Sequence, residues 1–245
     1  MRLIVDLDPG EPALGLARDE ALLESTCSSK EGVARLWINR PAAIIGRSQA
    51  IGAEIDLAGA RAEGLAVLRR ISGGGAVLHY PGNLNVSVSV STEPAAESVG
   101  AVFARWIGAV RDGLRILTPS VASSGNRLLV GDRKLGGAAQ ARRRGGILFH
   151  TTVLVGPCGW PMDRFLRAHR AGYRTDRVAS RPESTLCLSE ALGRVVEMAE
   201  VCEAVCRGLA LQGSLDPDRM RDREVERARM LAETKYRRDE WNLSR

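Results

Sequence analysis

Apolar positions along this chain follow two periods. Between Leu84 and Val90 (LNVSVSV) they alternate with small polar residues, the repeat of a strand that buries one face. Apolar runs at Leu3–Leu7, Ala34–Ile38, Ala42–Ile45, Leu65–Arg70, Leu128–Val130 and Ile147–Val155 read as further strands. Turn signals at Asp8-Pro9-Gly10, Asn39-Arg40-Pro41 and Gly131-Asp132 punctuate them. Elsewhere the period is helical. Pro12–Ser25 places Leu14, Ala17, Ala21 and Leu22 on one face. Ala95–Leu117 aligns Val99, Val102, Phe103, Trp106, Ile107, Val110 and Leu114 on one stripe, the pattern of a core helix. Val195–Leu211 turns Val195, Met198, Val201, Cys202, Val205 and Leu209 inward. Shorter helices are expected at Asp56–Glu63, at Met162–Arg170 and from Leu188. Asp216–Lys235 reads as a mixed-charge helix with Glu and Arg three and four residues apart. Tyr173–Ser184 is irregular and rich in Arg and Ser. No internal repeat occurs, and Gln212-Gly213-Ser214 is the best candidate for a boundary.

Two stretches carry candidate chemistry. In the first, Leu65–Arg70 ends in two arginines. Ser72 and three consecutive glycines, Gly73, Gly74 and Gly75, then separate it from Ala76, Val77, Leu78, His79 and the turn Pro81-Gly82. Ordering three glycines costs backbone entropy that some contact must offset. Without Cβ atoms such a loop can close on a ligand and aim successive N–H groups at an anion. Arg69 and Arg70 would sit beside that anion, and Asn83 and Asn85 add amides just after the turn. A mobile hairpin with solvated arginines is the plain alternative, and for the glycines alone it is the better one. Their setting between an arginine pair and His79-Tyr80-Pro81-Gly82-Asn83 favours a site. The loop leads into a strand pattern and contains no Gly-Lys-Ser/Thr, so neither a Walker loop nor a dinucleotide fingerprint fits.

The second stretch is Gly125–Val155. Gly131-Asp132 is a hairpin turn of the type that needs positive φ. Arg133-Lys134 follows, then the small residues of Leu135–Gln140 and a solvated turn at Arg142–Gly146. Small neighbours leave room for a ligand beside Lys134, and a compact ammonium on a rigid hairpin suits carboxylate and phosphate oxygens. The plain alternative is a surface lysine in a turn.

Composition narrows the partners. At 245 residues, 44% hydrophobic and 26% charged, the chain can bury a sizeable core, built from aliphatic residues because aromatics make up only 4%. A net charge of +6 fits an anionic substrate or an acidic protein partner. It also fits nucleic acid, but the arginines are dispersed among acids and few aromatics offer a stacking platform, so nucleic acid is not expected. Neither a membrane span nor a signal-peptide pattern occurs, and the expected location is cytoplasmic. Five scattered cysteines argue against a disulfide framework. Cys202 and Cys206 read better as small buried residues than as metal ligands.

Taken together, these stretches resemble the lipoate–protein ligases of the biotin/lipoate ligase and octanoyltransferase superfamily. The resembling segments run in order along nearly the whole chain. They are ALGLARDEALL (13–23), LWINRPAAIIGRSQ (36–49), the specific RRISGGGAVLHYPGNLN (69–85), GDRKLGGAAQ (131–140), FHTTVLV (149–155) and YRRDEWNL (236–243). The resemblance implies an α+β fold with a mixed, largely antiparallel sheet flanked by helices, the sheet carrying both the glycine loop and the lysine hairpin. It implies one catalytic domain over residues 1–245, with 213–245 as a charged C-terminal helical segment and no separate accessory domain. It further implies that Arg70, the loop from Gly73 to Leu78 and Lys134 bind ATP and then an acyl-adenylate. Arg47, Ser72, Gly73, Gly74, His79, Asn83, Lys134, Gly136 and Ala138 would bind lipoate.

The implied reaction joins lipoate (or octanoate) and ATP into acyl-AMP, with Lys134 and Mg²⁺ offsetting charge at the α-phosphate. A lysine of an acidic lipoyl domain, or of a glycine-cleavage H-like protein, would then take the acyl group. A separate accessory subunit is a further possible partner. The chain departs from the resembling pattern at Tyr80 (usually Asp), at Gly125-Asn126-Arg127 (usually Arg-Asn-Asp), and at Gly136-Gly137-Ala138 (usually Ser-Gly-Ser). VASRPESTLCL (178–188) matches its counterpart only loosely. Two other functions stay open. A cysteine-dependent octanoyltransferase needs no ATP, and here Cys158 is its only candidate nucleophile, since Pro119–Ser124 contains no cysteine. A lipoyl-binding subunit that relies on a partner for catalysis is the second.

Overall fold

The structure is a computed structural model that describes residues 1–92 and 97–244. In chain order the elements are β1 (Arg2–Gly10), α1 (Pro12–Ser29), β2 (Val33–Asn39), β3 (Ala42–Ile45), α2 (Ile51–Glu54), α3 (Leu57–Ala62), β4 (Ala66–Arg69), β5 (Val77–His79), β6 (Asn83–Ser91), α4 (Val99–Leu114), β7 (Val121–Ser124), β8 (Arg127–Val130), β9 (Arg133–Arg143) and β10 (Gly146–Leu154). They continue with α5 (Met162–Phe165), α6 (Leu188–Leu192), α7 (Met198–Ala210), β11 (Asp216–Pro217), α8 (Asp222–Leu231) and α9 (Asp239–Asn242). One sheet runs in the order β11-β1-β2-β6-β10-β9-β8-β7 and a second in the order β4-β3-β5. In the large sheet β1 pairs in parallel with β11 and β2, and every later pairing is antiparallel. The α+β class and the mixed, largely antiparallel sheet thus stand as expected. The glycine loop does not share that sheet with the lysine: it joins β4 to β5 in the small one.

The alternating strand β6 explains the layering. Its apolar face, Leu84, Val86 and Val88, is fully buried with Trp106, Ile107 and Val110 of α4 and Val201, Val205 and Leu209 of α7. Its polar face is buried as well, not half-exposed as the alternation predicts. The Ser87 hydroxyl donates to Asp19 of α1 at 2.6 Å and accepts from the Trp37 indole at 3.0 Å, while Arg35 donates to Asp19 at 2.8 Å. A satisfied polar layer can be buried at little net cost, and that allows a helix on each face of the strand. Helices α4 and α7 meet through glycine. A Cβ on Gly208 would lie 2.1 Å from the Ala109 carbonyl oxygen, and one on Gly113 would lie 2.2 Å from that of Ala204.

Several boundaries differ from the sequence reading. Asp8-Pro9-Gly10 stays within β1, and Arg142 and Arg143 extend β9. The first residues of the Ala95–Leu117 stretch, Ala95 and Ala96, lie outside the described residues, and the helix begins at Val99 behind the cap Ser98. Val99 and Val195 are exposed rather than inward, because each sits at or beyond a helix end. Asp216 and Pro217 form a strand on β1, so the charged helix starts only at Asp222. Gln212–Ser214 does not separate an independent tail. Buried Arg2 binds Asp218 at 2.6 Å and Glu224 at 2.7 Å, and buried Glu20 accepts from Lys235 at 2.8 Å and Tyr236 at 2.5 Å. No helix among the described residues is long and apolar enough to cross a membrane. Replacing Gly208 by valine is expected to lower unfolding stability by about 3 kcal/mol, since backbone stands where the new side chain must go. Urea unfolding of the variant beside the parent checks this.

Candidate active site

The two sheets face each other across a cavity of about 620 Å³. One wall is the glycine loop, and its shape is set by Arg70. This guanidinium is buried and curls beneath its own loop. It donates to the Ser72 hydroxyl at 2.9 Å, to the carbonyls of Gly73 at 2.6 Å and Gly75 at 2.8 Å, and to Ile44 of β3 at 3.3 Å. All of these partners are neutral. Burial therefore pushes Arg70 down to about 10, with no anion opposing it. With the carbonyls of Gly73 and Gly75 tied back, the amides of Gly73, Gly74 and Gly75 donate to no acceptor among the described residues. Gly74 has φ +87°, a conformation that favours glycine. Gly46 lets the loop close down, because a Cβ there would lie 2.1 Å from the Gly74 carbonyl oxygen.

Lys134 enters from the opposite wall, at the start of β9. The turn before it is Gly131 at φ +60°, as the hairpin signal requires. The small residues after it do two different things. Gly136 allows β10 to approach, since a Cβ would come within 2.0 Å of the Thr152 carbonyl oxygen. Gly137 makes room for the lysine itself, its hypothetical Cβ lying 3.0 Å from Lys134 Cε. The ammonium donates to Glu183 Oε2 at 2.7 Å, and Arg127 holds Glu183 Oε1 at 2.8 Å. Burial pushes the Glu183 carboxyl up, but the two cations outweigh it and leave it below the usual carboxylate range.

The cavity brings together most of the residues singled out in the sequence. Arg70, Gly74, Gly75, Ala76, Val77, Leu78, His79, Asn83, Lys134, Gly136 and Ala138 line it. Ser72, buried, and Gly73, exposed, are not part of the lining. Arg47 does not belong to it: the residue is exposed, and only its backbone reaches the loop, its N–H donating to Ser72 O at 2.8 Å. Arg69 also turns away from the cavity. It donates to the carbonyls of Gly46, Arg47 and Gln49 and clasps Trp241 in the C-terminal segment. Both amide atoms of fully buried Asn83 lack a partner among the described residues, on a side chain that lines the cavity.

Sequence reading missed His150, Ser180, Asn126 and Glu183. His150 binds Ser72 at 2.6 Å; it stands in the resembling segment FHTTVLV, which by itself assigned it no role. Ser180 ties the irregular Arg-rich segment to the glycine loop, accepting from Ala76 N at 2.7 Å and donating to buried Glu54 at 2.6 Å. Nothing in a loop of that composition indicates which residue turns inward. Asn126 donates to the Ala138 carbonyl at 2.8 Å and closes the hairpin. Cys158 is not in the wall. It packs with Tyr80, Cys187 and Trp160, and burial pushes its thiol up, which disfavours the thiolate that a nucleophile needs.

Comparison with known proteins agrees with this geometry. Residues 11–210 match the model of the lipoyl protein ligase A/B catalytic domain, and the chain belongs to that family. A relative in Aeropyrum pernix, classed with the lipoate–protein ligases A, is 37% identical over 153 residues. That match covers 62% of this chain and 57% of the relative, little more than half of its length. An octanoyltransferase LipM of Symbiobacterium thermophilum is 31% identical over 242 residues, 84% of each chain. Among solved structures, a bipartite lipoate protein ligase of Thermoplasma acidophilum, studied with its E2 lipoyl domain, superposes with a TM-score of 0.86. It is 30% identical, over 99% of this chain and 95% of that one. A lipoate–protein ligase A bound with ATP superposes with a TM-score of 0.82 at 29% identity, over 99% and 98%.

The two cavity histidines make stability depend on pH. Burial first, and then the charge of Arg70, pushes both His79 and His150 down to about 3. The unfolded chain takes up these protons near pH 6.5, while the folded chain resists until about pH 3. Stability is therefore lost as pH falls below 6.5, by about 2 kcal/mol per histidine between pH 7 and 5. Urea unfolding at the two pH values measures the loss, and His150→Gln is expected to remove about half of it.

Proposed function

We propose that this chain is an ATP-dependent lipoate–protein ligase acting in the cytoplasm as one catalytic unit. It joins lipoate, or octanoate, to AMP and passes the acyl group to a lysine of an acidic lipoyl domain. One observation carries the reading: Gly74 and Gly75, whose amides are free, and Lys134 line one cavity that contains no cysteine in its wall. Two consecutive N–H groups, a buried guanidinium with neutral partners and a lysine suit a phosphate group and a carboxylate together. Leu16, Ile44, Val77, Leu78 and Leu154 give the same cavity an apolar side for an acyl chain. The relatives that bind ATP and act with a lipoyl domain support the reading.

In the first step the lipoate carboxylate attacks the α-phosphorus of ATP and pyrophosphate leaves. Arg70 acts indirectly, by holding the loop carbonyls so that the amides stay directed away from them. Lys134 lies where it can bind the attacking carboxylate and the α-phosphate, and it offsets charge that builds on the phosphorus oxygens. In the second step the acceptor lysine amine attacks the acyl carbonyl and AMP leaves. No protein nucleophile takes part. Among the described residues no group of three His, Cys, Asp or Glu side chains could hold a metal ion. Mg²⁺ would arrive on the ATP phosphates. Exposed Arg174, Arg177 and Arg181, on the segment that rims the cavity, suit an acidic acceptor.

A second reading draws on the bipartite Thermoplasma ligase, matched over almost its full length: a separate subunit assists adenylation. Lys134→Ala is expected to reduce ATP–pyrophosphate exchange with lipoate at least about 100-fold while the fold is kept. Full exchange in that variant contradicts the role of Lys134. Absence of exchange in the unaltered chain, together with tight binding of lipoyl-AMP, favours the assisted reading.

A further inference from the structure

Glu183 lies on an irregular segment, yet its carboxylate reaches the centre of the site. Each of its oxygens holds a different cation, Oε2 the ammonium of Lys134 at 2.7 Å and Oε1 the guanidinium of Arg127 at 2.8 Å. The segment is fixed to the lysine's own backbone as well. Lys134 N donates to Ser184 O at 2.8 Å, and Leu186 N donates to Lys134 O at 3.1 Å. The carboxylate therefore sits in a fixed frame relative to the lysine. Lys134, Arg127 and Glu183 all line the cavity, so the three charges share one patch of wall. Lysine is a point charge on a flexible four-carbon stem, with no geometry of its own to aim it. Arg127 stands beside it with the same sign. Without an anion between them the two cations repel, and the lysine has many places to go. The hairpin carries arginine at 127, where the resembling sequences carry an acid. The acid facing Lys134 here comes instead from the segment bonded alongside the lysine's own backbone.

We propose that Glu183 is a positioning residue for Lys134, holding its ammonium in place and separating it from Arg127. The proposal rests on the reading of Lys134 given above. Glu183 touches no reacting atom and acts through the lysine. An amide in its place has one acceptor oxygen and one N–H₂ donor, so it cannot offer an acceptor to a cation at each end, and it carries no charge. An aspartate keeps both acceptors on a shorter stem.

These roles separate in kinetics. Glu183 is an anion beside an anion site, so its charge opposes binding of substrate carboxylate and phosphate. Glu183→Gln removes that repulsion and also releases the lysine. KM for lipoate and ATP is therefore expected to stay the same or fall, while kcat for pyrophosphate exchange drops about 10- to 100-fold, the scale of a misplaced catalytic group. Glu183→Asp is expected to recover at least about a third of the parent kcat. A purely structural role would instead lower the fraction of folded protein, which thermal unfolding reads, and would leave kcat per folded molecule unchanged.

A second measurement needs no activity. Lys134 is labelled with an amine-reactive ester in the full chain, and its labelling rate is read by mass spectrometry against the other lysines. In Glu183→Gln the Lys134 rate is expected to rise at least about threefold as its partner is lost. Unchanged Lys134 labelling, or kcat within about twofold of the parent, overturns the positioning role alone. A parent chain that performs neither exchange nor lipoyl-AMP binding overturns the ligase reading, and with it any role for Glu183 in that reaction.

Discussion

A buried guanidinium held only by neutral groups is an expensive thing to fold around, and the cavity follows from how Arg70 is accommodated. Desolvating the cation is offset by carbonyl dipoles from Gly73, Gly75 and Ile44 and by the Ser72 hydroxyl. Gly74, at φ +87°, lets the loop fold back so that two of its carbonyls reach Arg70, just after β4. The amides left over donate to no acceptor among the described residues, and the proposed mechanism turns them to the substrate anion. Burial first, and then the same charge, keeps the nearby histidines neutral. A proton on His79 or His150 would add a second buried cation beside the first.

The rest of the fold holds this loop against the lysine hairpin. The small sheet carries the loop, the large sheet carries Lys134, and no strand is shared between them. Several connections bridge the gap. Asn39 on β2 bonds His79 on β5 at 2.9 Å. His150 on β10 reaches across to Ser72. The Arg-rich segment spans both walls, Ser180 on the glycine loop and Glu183 on Lys134. That segment reads as irregular because its backbone bonds go to other elements rather than to itself. Glu54, Tyr173 and Gln49 gather around Ser180 and give it a fixed path without helix or strand.

What could be read from the sequence depended on whether a signal was local. The strand β6, the helix stripes of α4 and α7, the glycine loop and the hairpin before Lys134 announce themselves through period or turn chemistry, and they lie close to where those patterns put them. The burial of both faces of β6 was not legible, because Asp19 and Arg35 reach Ser87 from distant parts of the chain. The two arginines at 69 and 70 look alike in sequence and do opposite jobs, one facing the C-terminal segment and one facing the cavity. Arg47 looked like a ligand because it stands in a resembling motif, yet its side chain lies outside. Glu183 pairs with a residue 49 positions away, from a loop with no periodic signal, and no local rule could have joined them.

The account's central claim is that this cavity activates a free acid with ATP. The most direct test incubates the unaltered chain with an apo lipoyl domain and free lipoate, with and without Mg-ATP, and weighs the domain by mass spectrometry. The account predicts a lipoyl mass increment on the domain only when ATP is present. Transfer of an octanoyl group from an acyl-carrier thioester in the absence of ATP, with no use of free lipoate when ATP is supplied, would contradict it.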